Sequence, residues 1–126
     1  MIKKYKINPK NILGHSDISP ERKKDPGEKF PWQYLSQNKV GLWHTIKTKD
    51  LIKNRKTKTT KIDKKLFINN LFKIGYQKKF PRELSKNRYL SYITKAFQRR
   101  YRQDLVDGKI DQECLIISQN LIKNFY

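Results

Sequence analysis

The chain has 126 residues, 36% hydrophobic and 33% charged, enough for one modest domain or for parts of two. Its 30 Lys and Arg against 11 Asp and Glu leave a net charge of +19, which raises a polyanionic partner as a possibility. Cys114 is the only cysteine, so an intrachain disulfide is excluded, and no apolar run approaches the length of a membrane span. The cationic excess is mostly lysine spread along the whole chain, with abundant Ile and Asn. An AT-biased coding sequence produces that composition without any nucleic acid to bind, so nucleic-acid binding is the weaker account.

Taken in order, Met1 to Lys6 is basic but is followed by no apolar core, so it does not read as a signal peptide. Ile2 to Ile7 reads as the tail of a helix, with Asn8-Pro9 as the turn that ends it. Asn11-Ile12-Leu13 reads as a short apolar strand that runs into Gly14-His15-Ser16-Asp17-Ile18. Ser19 to Lys29 is a loop punctuated by Pro20 and by Pro26-Gly27. Pro31 suits the first position of a short helix, Pro31 to Gln37, with Trp32 and Leu35 toward the core. Gly41-Leu42-Trp43-His44 follows, with His44 expected at the surface and Trp43 in packing. Lys53 to Lys61 is polar, cationic and without apolar period, and reads as a solvated tether.

Helical periodicity then returns. Ile62, Leu66, Phe67, Leu71 and Ile74 recur at three-to-four spacing and Gly75 supplies a stop. Leu90, Ile93, Ala96, Phe97 and Tyr101 mark one face of a second helix, Leu90 to Arg102. Asp107-Gly108 makes a turn, and Asp111 caps a third helix carrying Cys114, Leu115, Ile117, Leu121 and Ile122. Three short amphipathic helices can enclose one small core.

The chemistry concentrates in residues 14–32. A strand that delivers His15 into a rigid loop containing Asp25 brings an imidazole and a carboxylate, both ordinary zinc ligands, within reach of one ion. Lys23 would set a positive charge beside it, where an oxyanion formed by attack of water on a carbonyl needs one. The alternative is that His15 is a hydrogen-bonded core histidine. Asp17 reads as an acceptor that fixes the loop, and Arg22 as a partner for a carboxylate in the same loop or a substrate contact.

The run Gly14-His15-Ser16-Asp17-Ile18-x-Pro20-x-Arg22-Lys23-x-Asp25-Pro26-Gly27, continued by Phe30-Pro31-Trp32, resembles the second half of the active site of the zinc-dependent N-acetylmuramoyl-L-alanine amidases, relatives in fold of the peptidoglycan recognition proteins. The resemblance implies that His15 and Asp25 are zinc ligands and Lys23 the catalytic cation, with Arg22 and Trp32 on the substrate side. It also implies what these 126 residues do not contain: a first zinc histidine and a glutamate base, both of which lie upstream of the motif in that family. Zn2+ would therefore bind only with an upstream ligand supplied.

The order of the later pieces, Gly75-Tyr76, Ala96-Phe97-Gln98 and Val106-Asp107-Gly108-Lys109-Ile110-Asp111, resembles the three-helix peptidoglycan-binding module that some of these amidases carry. Phe97 belongs to the core by its stripe, leaving Tyr76, Tyr89, Tyr92 or Arg99 at the rim as glycan contacts.

The expected architecture is thus an α+β fragment, the end of a mixed α/β amidase domain (1–46), then a basic linker (47–61) and a mostly α three-helix module (62–126). The implied activity is hydrolysis of the amide between N-acetylmuramic acid and L-alanine, by a C-terminal portion inactive alone. The alternatives are a non-catalytic peptidoglycan-binding protein and, behind it, a basic nucleic-acid binder. Peptidoglycan or muropeptides are the expected partners, with an N-terminal amidase half on another polypeptide; no nucleic acid and no membrane span are expected. The intact enzyme is expected in the bacterial cell envelope or periplasm.

Overall fold

The computed structural model describes residues 8–126, and of His15 only the backbone; the expected helix tail at Ile2 to Ile7 lies outside the described residues. A single 3-10 turn, Pro9–Asn11, opens this part. Six α-helices follow: α1 His15–Ile18, α2 Trp32–Ser36, α3 Thr48–Asn54, α4 Lys61–Ile74, α5 Lys86–Tyr101 and α6 Gln112–Phe125.

The three long helices form where the apolar periodicity placed them, and their ends follow local chemistry. Thr60 and Asp63 make a reciprocal capping box at the start of α4, and Gly75 ends that helix. Ser85 caps α5 through the Arg88 amide, so the helix starts four residues earlier than the apolar stripe alone suggested. Asp111 caps α6 by accepting from the Cys114 amide at 3.0 Å.

These helices close one core. Phe67, Ile93, Ala96, Phe97, Cys114, Ile117 and Leu121 are fully buried, and Phe67 meets Phe97 edge-to-face with centroids 5.1 Å apart. Burial pushes the Cys114 thiol up to about 12, so it acts as a small apolar side chain. The Asn70 amide donates to the Ser118 hydroxyl at 3.1 Å inside this core, joining α4 to α6.

The turn between α5 and α6 is held by a buried ionic network. Arg102, 3% exposed, reaches Asp107, Asp111 and Glu113, and Arg55 clamps Glu113 with two bonds of 2.9 and 3.0 Å. Gln98 reads the same turn from α5: its amide nitrogen donates to Asp107 and to the Lys109 carbonyl, and its oxygen accepts from the Gly108 amide. The Phe-Gln and Asp-Gly signatures are therefore structural. Phe97 fills the core, and Gln98 fastens the turn to it.

Two expectations need correction. Among the described residues every regular element is helical, so the predicted α+β portion is absent. Among the described residues the expected Asn11-Ile12-Leu13 strand has no strand to pair with. The Ile12 amide bonds back to the Pro9 carbonyl at 3.2 Å, and the Ile12 carbonyl accepts from Arg100 at 3.0 Å. A strand needs a neighbour for its backbone groups, and a short 3-10 turn satisfies them locally instead.

The stretch expected to be a solvated tether also holds structure. Its first half is α3, which seats Leu51 in the core against α6, and its second half is tied down by Arg55, by the Lys56 amide on Asp111 and by the Thr59 hydroxyl on the Ile110 carbonyl. Buried partners downstream, invisible in its own composition, order it.

Candidate active site

The 14–27 run folds back on itself so that its two ends meet. The Ser16 amide donates to the Asp25 carbonyl at 2.9 Å, and the peptide between Asp25 and Pro26 is cis. Pro26 presses on Gly14 so closely that a Cβ there would lie 2.4 Å from the proline Cδ, so only glycine fits. The backbone thereby places position 15 beside position 25, ten residues later in sequence. Between them, the Arg22 and Lys23 amides both donate to the Ser19 carbonyl, at 3.0 and 2.8 Å, making a tight turn that leaves both side chains exposed. No ion pair holds Arg22 among the described residues, so its expected carboxylate partner is not found.

Asp17 ties this loop to the helices. One of its oxygens accepts from the Gly14 amide at 3.1 Å, which caps α1 from within, and the other accepts from the Tyr76 hydroxyl at 2.5 Å. Arg100, on α5, completes the clasp. It donates to the Ile12 carbonyl, pairs with Asp17 at 3.5 Å and stacks 3.6 Å above the Trp32 ring. Gly41 has φ +83° and lies under the same guanidinium, where a Cβ would come within 2.7 Å of Nη2. The Gln103 side chain adds a bond to the Phe30 carbonyl at 2.6 Å.

Asp17 therefore does what was expected of it, and Trp32 is a buried platform for Arg100, only 4% exposed. Tyr76, Tyr89 and Arg99, expected at a glycan-binding rim, are buried. Tyr76 is spent on Asp17, with burial and the nearby carboxylate pushing its phenol well above the usual value. The Tyr89 hydroxyl donates to the Gln77 carbonyl at 2.7 Å.

His44 is also buried, not at the surface. Its Nδ1 accepts from the Ile46 amide at 3.3 Å and its ring packs on Trp43, while Asn120 clasps Thr45 with two bonds. Burial holds this imidazole neutral, its pKa lowered to about 4, and Nε2 has no partner among the described residues. Among the described side chains, no group of three His, Cys, Asp or Glu forms around His44.

Arg100 is the residue that sequence reasoning passed over. It sits three and four positions after Phe97 and Ala96, on the apolar stripe of α5, and a guanidinium on such a stripe signals a buried partner.

No family model matches the chain. Its sequence is 32% identical over 128 residues to N-acetylmuramoyl-L-alanine amidase AmiD of Escherichia coli, an alignment that takes in 99% of this chain and 44% of the relative. The chain is homologous to the N-acetylmuramoyl-L-alanine amidases. It spans less than half the length of the AmiD relative.

Solved structures agree with the fold. The E. coli AmiD complex with the substrate anhydro-N-acetylmuramic acid-L-Ala-D-gamma-Glu-L-Lys superposes with a TM-score of 0.79 at 31% identity, over 98% of this chain and 47% of that one. AmpDh3 of Pseudomonas aeruginosa with anhydromuramic pentapeptide gives 0.75 at 27% identity, over 98% and 48%. No helix among the described residues is long and apolar enough to cross a membrane.

Proposed function

We propose that this chain is the C-terminal portion of a peptidoglycan amidase, carrying half of its active site together with a wall-binding helical module. The complete site would hydrolyse the amide joining N-acetylmuramic acid to L-alanine. One observation carries this reading: the closure of Gly14-Ser16 on Asp25-Pro26, which brings together the two positions that the amidase motif assigns to metal ligands.

Residues 15 and 25 fit a zinc ion in part. Imidazole and carboxylate are suitable donors, and the loop is braced at both ends, but hydrolytic zinc sites take three protein ligands and keep one position open. A histidine from outside these residues would complete the set. When bound, zinc supplies Lewis acidity toward water and the scissile carbonyl. The chain's own contribution is to hold the ligand loop against α5 through Asp17, Tyr76 and Arg100, so that its geometry is set before substrate arrives. Lys23 extends from the Ser19–Lys23 turn and would stabilise the oxyanion as the carbonyl is attacked. Arg22, exposed in the same turn, would meet an anionic part of the substrate. A glutamate supplied by the missing half would take the proton from the attacking water.

The site of action of the intact enzyme would be the bacterial cell envelope, where its polymer lies. A second reading, wall binding without catalysis, is favoured by the continuous core of the 61–126 region, to which Leu51 also contributes.

Calorimetric titration of the purified chain with Zn2+ tests the site. Binding at one site is expected only when imidazole is added to supply the missing third ligand, and is lost in both His15→Ala and Asp25→Ala. Binding indifferent to both substitutions would remove the reading. The chain alone should not hydrolyse a muropeptide; turnover abolished by His15→Ala would show that the site is complete without further residues.

A further inference from the structure

Away from the 14–27 loop, a groove of about 1280 Å3 opens between α4 and α5. Its floor is apolar, built from Ile68 and Phe72 of α4, Leu90 of α5 and Ile110 of the α5–α6 turn. Its rim is cationic. Lys64 and Lys65 stand on the α4 side, Lys86 on the α5 side, and Lys56 and Lys58 come from the segment before α4. Lys78 and Lys109 complete a set of seven lysines against two aspartates.

Neither aspartate offsets that charge at the mouth. Asp107 is occupied by Arg102, Gln98 and the Lys109 amide, and Asp111 by Arg102, the Lys56 amide and the α6 N-terminus. The groove thus presents positive charge on both sides of an apolar floor, with no free carboxylate to compete for it.

We propose that this groove binds the acidic peptide stems of the wall polymer, as a second contact separate from the amide-cleaving loop; this rests on the amidase reading above. The charge complementarity favours stem over sugar. A stem of the kind bound by the AmiD relative, L-Ala-D-gamma-Glu-L-Lys, carries carboxylates at the γ-linked glutamate and at its end, with an alanine methyl between sugar and glutamate. N-acetylated sugars are neutral over most of their surface and are recognised by hydroxyl bonding and by stacking on open aromatic faces. The aromatic pair at this groove, Phe80 and Tyr89, stacks on itself at 5.7 Å. An extended peptide would lay its small apolar groups on the floor and its carboxylates against the two lysine rows.

Co-sedimentation of the full chain with insoluble peptidoglycan at two salt concentrations tests this. The probes are intact wall, glycan strands stripped of stems, and an oligothymidylate. The groove variant is Lys64→Glu with Lys86→Glu. Its control is Lys49→Glu with Lys123→Glu, of equal charge change on exposed helix positions away from the groove.

Intact wall should bind about tenfold more weakly to the groove variant and nearly unchanged to the control, and stripped glycan should bind wild type as poorly as intact wall binds the variant. Equal weakening by both pairs would show diffuse charge and overturn the proposal. So would undiminished binding of stripped glycan, or a preference for the oligonucleotide that the groove variant abolishes. Wall retention untouched by the groove variant removes the groove and leaves the amidase reading standing. Failure of wild type to bind any wall removes the wall-binding reading with it.

Discussion

Residues 8–46 and residues 61–126 are ordered by different means. The second region has an apolar interior of its own, with side chains from all three long helices fully buried. The first contributes few large buried apolar residues, chiefly Trp32 and Leu42, and its 14–27 loop is closed by backbone bonds and one tight glycine contact. What the loop lacks in core it takes from α5, through Arg100 stacked on Trp32 and bonded to Asp17 and Ile12. A loop of this kind keeps a defined shape while a neighbouring, well-packed helix holds it. Residues 61–126 therefore also act as the scaffold on which the 14–32 segment is laid.

The largest way to break the contrast is to remove the shared scaffold. Phe97→Ala should destabilise the whole chain by about 3–5 kcal/mol in denaturant unfolding, and loop and helices should melt together. Separate transitions would show that the loop does not depend on the helical core.

His44 lies at the joint, and pH reads it. The unfolded chain takes up this proton below about pH 6.5, while the folded chain resists it until about 4. Its contribution is full above pH 6.5 and is lost as the pH falls toward 4, a decrease of roughly 3 kcal/mol at 1.36 kcal/mol per pH unit. His44→Phe should flatten that slope in unfolding measured across this window.

Arg100→Leu should cost about 2 kcal/mol, as expected for bonds to charged groups. Amide exchange should accelerate at Ser16 and Asp17, while protection in α4 and α6 stays as it was. Equal acceleration in all three would mean that Arg100 supports the core and not the loop. The smallest effect should come from Thr60→Ala, which opens the capping box of α4 and should lower stability by about 1 kcal/mol without changing exchange in the loop.

By itself, the sequence settled whatever depends on short-range pattern. The long helices followed from three-to-four apolar spacing, their ends from Gly75 and Asp111, and the amidase relationship from a motif whose residues lie within one loop. The tertiary structure alone decided everything that needs a distant partner. Asn11 to Leu13 looks like a strand until it has no neighbour with which to share hydrogen bonds, and residues 48–54 look like a tether until Leu51 finds the core. Tyr76, Arg99 and His44 look like surface residues because polar groups usually are. Their burial depends on Asp17, on the loop above α5 and on the Trp43 ring, contacts set by how the chain closes on itself and not by any local spacing.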